Sequence, residues 1–169
     1  MIETALGNPG IDAVVIAPQQ STSTATLVSS TDKPVVALDT DFTSDKKACF
    51  VGTGNEDAAL SGGKAVAEAC KARGKDKPTA VIIAGVQGDE THEARLRGYR
   101  DAIEAAGGQV LEVQYTDTMP DKAAAAMEAI IQKYPNGVDA VLSIADDMAL
   151  AAAKVIKDSG NTNYADTVL

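Results

Sequence analysis

The chain has 169 residues, 45% of them hydrophobic but only 4% aromatic, with 14 glycines and no tryptophan. That suffices for one good core or parts of two small ones, and an alanine-rich, aromatic-poor balance suits helices packed on a sheet better than a β-sandwich. A net charge of −9 disfavours nucleic acid and anionic membrane surfaces as partners, and no apolar run approaches the ~18 residues of a spanning helix, so no membrane insertion is expected.

Residues 1–6 read as the last turns of a helix with no strand before it. Residues 11–17 (IDAVVIA) form an apolar run after the Asn8-Pro9-Gly10 break, long enough for a buried parallel strand. The Ser/Thr-rich stretch 21–31 predicts a short helix capped by Ser21, or else an irregular connection. Residues 35–38 predict a second buried strand ending at Asp39-Thr40-Asp41, and residues 48–51 a third.

From there the pattern is regular. Residues 56–73 carry apolar or small side chains at helical spacing, with Lys71, Arg73 and Gly74 as stop signals. Strands are predicted at 80–84, 109–113 and 138–144, and helices at 91–106, 120–134 and 146–158. Val168 opens one further strand. Strand starts recur at a spacing of about 30 residues, the length of one βα unit. The strands are near-continuous apolar runs apart from Glu112 and Asp139, which predicts helices over both faces of a parallel, doubly wound sheet. In such sheets binding groups collect at the carboxyl ends of the strands. Nothing resembling a leader peptide opens the chain, and both ends read as cuts through a longer fold.

The polar residues at those carboxyl ends form a set of hydrogen-bonding groups without a catalytic constellation. Asp39 follows a buried strand, where an acid has no packing role and a carboxylate accepts paired hydroxyl hydrogens well; the alternative is a solvated loop acid. Arg95 lies about one turn into its helix, as a ligand arm or as a solvent-facing residue touching only Thr91 and Tyr99. Asp146 and Asp147 suit a helix N-terminus, where they cap the helix or meet a ligand. His92, the single histidine, lacks the second histidine of a zinc-protease helix and reads as a solvated helix residue. Gly52-x-Gly54 is a fragment of a dinucleotide fingerprint in which Asp57 stands at the third glycine and would repel a pyrophosphate. Neither a P-loop nor a nucleophile elbow is present. No metal, no cofactor and no catalysis are expected. Cys49 and Cys70 are separated by a strand end and a helix about 20 Å long, too far for a disulfide and consistent with two buried or semi-buried thiols.

Five stretches in this order, IDAVVIAP, KPVVALDTDF, FVGTGNEDAALSGGKAVAE, GDETHEARLRGYRDAIEAAG and VDAVLSIADDMALAAAKVIKDSG, resemble the type I periplasmic solute-binding proteins of the ribose- and galactose-binding group. The resemblance implies an α/β fold of two lobes joined by three hinge crossings and closing on a sugar. It further implies that residues 1–48 are the later part of the first lobe, 49–54 a hinge crossing and 55–169 most of the second lobe, with both ends incomplete. Asp39 corresponds to the first-lobe acid that takes sugar hydroxyls, and Arg95 to the second-lobe arginine. Asp89 and Thr91 resemble loop positions that contribute in galactose-type members, and Asp146 joins the candidate ligand groups. Three positions depart from the pattern: Ala145 where an asparagine is common, Thr118 near a stacking aromatic, and Thr40 where an arginine follows the acid.

The implied role is an extracytoplasmic component of an ABC transporter that carries a sugar or polyol to a membrane permease. The second expectation is the effector-sensing domain of a sugar-responsive regulator of the lactose-repressor type. A small α/β enzyme comes third, for want of a nucleophile and base.

Overall fold

The computed structural model describes residues 1–169. The chain divides into two units, Met1–Gly54 with Gly88–Thr91, and Asn55–Gln87 with His92–Leu169.

The first unit contains helix α1 (Ile2–Gly7), strand β1 (Val14–Ile16), helix α2 (Ser21–Val28) and strands β2 (Val35–Leu38) and β3 (Lys47–Val51). The strands form a parallel sheet in the order β1-β2-β3. Strand β1 is shorter than its apolar run, because Val14 is the first residue to meet a partner, Val35. Ile16, Val35 and Ala37 face a core closed by Val28 and Phe42, with Ile2, Leu6 and Ala25 of the two helices against it. The opposite face has no such cover. Val15, Val36 and Cys49 stand side by side in register across all three strands, followed by the pair Leu38 and Val51. Val15 is 65% exposed. No helix of this chain packs on that face, and Cys49 is an exposed thiol rather than a buried or semi-buried one.

Helix α2 exists, but Ser21 does not cap it. Gln20 holds the cap position without a side-chain bond, and Ser21 Oγ donates instead to the Asp41 carbonyl at 2.6 Å. Ser21 Oγ also accepts from Glu90 N at 3.2 Å, which ties the segment Gly88–Thr91 to the same hydroxyl.

The second unit runs α3 (Asn55–Ala72), β4 (Thr79–Ala84), α4 (Glu90–Ala105), β5 (Gln109–Tyr115), α5 (Pro120–Lys133), β6 (Ala140–Ser143) and α6 (Asp146–Ser159), with the first residues of α4 belonging to the segment above. Its parallel sheet has the order β5-β4-β6, and β4 is buried throughout Ala80, Val81, Ile82, Ile83 and Ala84. The two-residue period of a strand decides which core each residue joins. Val81 and Ile83 pack with Ala123, Met127 and Met148 of α5 and α6, while Ala80 and Ile82 pack with Ala67, Leu96 and Ile103 of α3 and α4. This sheet is covered on both faces, as its apolar strands require.

The acid inside β5 and the one just before β6 are each compensated. Asp139, beside β6, accepts from Thr79 N and Thr79 Oγ1, both at 2.8 Å, and pairs with Lys75 at 3.1 Å. Burial alone would raise its carboxyl, but the Thr79 donors and the Lys75 ammonium outweigh it and hold Asp139 below the ordinary range. Glu112 on β5 accepts from Lys133, Gln114 and Tyr134, and those bonds, led by Lys133, likewise lower it against the effect of burial. After α6 the chain makes a 3-10 turn (Thr162–Tyr164) that the sequence pattern did not signal. Tyr164 is buried and its hydroxyl donates to the Tyr134 carbonyl at 2.9 Å. Val168 then forms a single parallel bridge to Ala140.

Candidate functional site

Helix α4 presents Arg95 and Tyr99 one turn apart on one face. Both reach across to the carboxyl end of β6. Arg95 Nη1 donates to the Ile144 carbonyl at 2.8 Å, and the Tyr99 hydroxyl donates to the Ser143 carbonyl at 3.2 Å. Arg95 Nε donates to Asn55 Oδ1, also at 2.8 Å. The guanidinium is thus half-buried and held by an amide and a carbonyl, both neutral. Its contacts lie 40 and 49 residues away in sequence, which rules out the solvent-facing alternative.

Asp146, the first residue of α6, is exposed two residues beyond the carbonyl that Arg95 holds. Burial pushes the Tyr99 hydroxyl up, Arg95 draws it back and Asp146 adds to the rise, so both charges are felt at Tyr99. Within this unit the structure therefore brings Arg95 and Asp146 to the same end of β6. Asp146 does not cap α6: Ala145 holds that position, and Asp147 Oδ1 takes the backbone N–H of Met148 at 2.9 Å.

Asp39 lies at the carboxyl end of β2 in the first unit, exposed, with a backbone φ of 64°. Its N–H donates to the Val51 carbonyl at 2.9 Å, which keeps the residue in the left-handed region. That region costs a non-glycine residue of order 1 kcal/mol, less for Asp, and such strain concentrates at binding sites. The other two non-glycine residues with positive φ, Asp117 and Thr118, also follow a strand, β5.

Asp89 and Thr91 are both buried, in the segment that groups with the first unit. Thr91 Oγ1 has no hydrogen-bond partner although it is shut off from solvent. An unpaired buried hydroxyl costs about 1–3 kcal/mol, and this one belongs to the second residue of α4.

His92 is not the solvated residue expected. Its Nδ1 accepts the backbone N–H of Val86 at 3.1 Å and so braces the turn after β4. A side chain at Gly85 would place its Cβ 2.9 Å from that same nitrogen and 2.6 Å from Ile144 Cδ1, so it would have to displace both. Sequence reasoning also missed Asn55. It closes a Gly-Thr-Gly-Asn turn in the sequence, and its partner is 40 residues away; a polar residue opening a long helix was the available signal.

Residues 1–167 match the family model of the periplasmic binding protein domain. The D-ribose/D-allose-binding protein of Pseudomonas aeruginosa is 28% identical over 168 residues, covering 94% of this chain and 51% of that protein. The HTH-type transcriptional regulator CelR of Thermobifida fusca is 42% identical over 80 residues, covering 46% of this chain and 23% of the regulator. Among solved structures, GanP, a glucose-galactose binding protein from Geobacillus stearothermophilus, is similar with a TM-score of 0.82 at 25% identity, covering 95% of this chain and 56% of that one. The chain spans about half the length of the ribose/allose-binding relative and of the GanP chain. With parallel α/β sheets and a match over nearly all of its residues, the chain belongs to the periplasmic binding protein domain family.

Proposed function

We propose that this chain supplies part of the binding site of an extracytoplasmic solute-binding protein that takes up a sugar or similar polyol without catalysis and delivers it to an ABC transporter permease. The observation that carries the reading is Arg95. Its guanidinium is half-buried, fixed at two points and held by neutral groups, so its charge remains for a ligand. Asp39, Asp89 and Asp146 supply the complementary acceptors, and the unpaired Thr91 hydroxyl supplies one more group. A sugar hydroxyl both donates and accepts, so it satisfies carboxylates and a guanidinium together. In this reading residues 1–48 belong to the first lobe, 49–54 are a hinge crossing, and 55–169 are most of the second lobe. In a two-lobed binding protein, closure is favoured when the solute binds the closed state better than the open one.

The family and the ribose/allose-binding relative support a periplasmic or other extracytoplasmic setting. No helix is long and apolar enough to cross a membrane. The match to CelR supports the second reading, an effector-sensing domain of a sugar-responsive regulator. A helix-turn-helix encoded ahead of Met1 would decide for that reading; a leader peptide there would decide for transport.

The test is calorimetric titration of the parent protein with D-ribose, D-allose, D-galactose, D-glucose and myo-inositol. At least one of them is expected to bind, and Asp39→Ala and Arg95→Ala are each expected to weaken that binding by about 2 kcal/mol or more. Unchanged affinity in both variants would remove the site assignment, and no binding by any of the five would remove the sugar reading.

A further inference from the structure

The geometry points to Asn55 as the positioning residue of Arg95, a group that touches no solute itself but fixes the arginine that does; this rests on the reading of Arg95 as a ligand-binding group. An arginine side chain carries much rotamer freedom, which a ligand must otherwise freeze out on binding. Two fixed points on the guanidinium remove that cost in advance. One is the Ile144 carbonyl, a backbone atom that no substitution at that position deletes. The other is Asn55 Oδ1 at 2.8 Å from Nε, which depends on a single side chain.

Asn55 is itself well held. It is 8% exposed and is the first residue of α3. The opening turn of α3 lies directly against α4: a Cβ at Gly98 would stand 2.3 Å from the Glu56 carbonyl oxygen and 2.7 Å from Leu60 N. Gly98 is three residues beyond Arg95, so the close approach it permits keeps the Asn55–Arg95 distance short. The identity of residue 55 matters as well as its place. An amide oxygen orients Nε without cancelling the charge, whereas a carboxylate would orient it and pair with it.

Two readouts separate this inference from the function it rests on. The first needs no sugar: the Nε–Hε signal of Arg95 in a 15N-labelled chain, identified by its loss in Arg95→Lys. It is expected to be dispersed and slow to exchange with water. Asn55→Ala, and the milder Asn55→Ser should the first variant fold poorly, are expected to make it exchange as an exposed arginine does, while Asn55→Asp keeps it protected. The second readout is titration of the parent protein with D-ribose and D-allose. Asn55→Ala is expected to weaken the binding about tenfold, Asn55→Asp to leave it weakened although the Arg95 signal stays protected, and Asn55→Ala to change nothing further when Arg95 is already Ala. An Arg95 signal that stays protected in both Asn55→Ala and Asn55→Ser would overturn the positioning role. So would equal affinity loss from Asn55→Ala with and without Arg95. If neither sugar binds while the Arg95 signal follows residue 55 as stated, the positioning role stands and the choice of solute falls.

Discussion

Strand β4 of the second unit is buried from Ala80 through Ala84, whereas β2 of the first unit leaves Leu38 44% exposed beside Val51 at 53%. Both are central strands of three-stranded parallel sheets, and apart from Thr79 both are written in Val, Ile, Leu and Ala. The difference lies in what the neighbouring sequence supplies. Around β4, each face receives two helices, α3 and α4 on one side and α5 and α6 on the other. Around β2, α1 and α2 serve the same face, and the row Val15, Val36 and Cys49 receives nothing. An apolar strand therefore states how many faces are fit to be covered, and only the count of helices states how many are.

The largest effect that would break this contrast comes from truncating the two sheets in parallel. Ile83→Ala removes a fully buried side chain and is expected to cost about 3 kcal/mol of stability in urea unfolding. Val15→Ala, at 65% exposure, is expected to cost under about 0.5 kcal/mol. Similar losses from both would mean that the open face is covered in solution.

A smaller effect concerns the acids of the second sheet. Asp139 is held below its ordinary value of 3.8, so its contribution is complete above that pH and is lost as the pH falls through the lower folded-state value. Asp139→Asn leaves the Thr79 donors with a weaker acceptor and removes the Lys75 partner. It is expected to lower stability by about 1–2 kcal/mol at pH 7 and by less at pH 3, as read from thermal melts across that range. A variant that loses as much at pH 3 as at pH 7 would show the cost to be packing alone.

The smallest effect leaves stability unchanged and probes the two sheets through their thiols. Cys49 is exposed on β3, while Cys70 is buried against the core of the second sheet, where burial and then the Asp139 charge raise its thiol. A thiol-reactive dye is expected to label one cysteine rapidly in the native protein and both in denaturant. Rapid labelling of both would show that the α3 side of the second sheet opens readily.

The sequence signals were strong where periodicity and stop signals agreed. Helices α3 to α6 and strand β2 follow their patterns to within about two residues, the usual looseness of helix and strand ends. They failed where one residue's role depends on another far along the chain. Asn55 and Arg95 are 40 residues apart, and neither pattern names the other. His92 reads as a solvated helix residue because the N–H it accepts belongs to a turn, not to a periodic element. Residue type alone suits Asp146 and Asp147 equally to a cap or to a ligand, whereas the cap position falls on Ala145 and only Asp147 takes a backbone amide. The 3-10 turn at Tyr164 is three residues long and is held by a bond to the Tyr134 carbonyl, outside its own sequence.

The open row of Val15, Val36 and Cys49 bears on the colloidal behaviour of the chain. A bare apolar patch attracts its like, and what opposes that attraction at neutral pH is the net charge of −9. That charge vanishes near pH 4.5, and added salt shortens its reach. Electrostatic repulsion from the excess of carboxylates thus opposes contact between such faces at neutral pH, and lowering the pH or adding salt weakens that opposition.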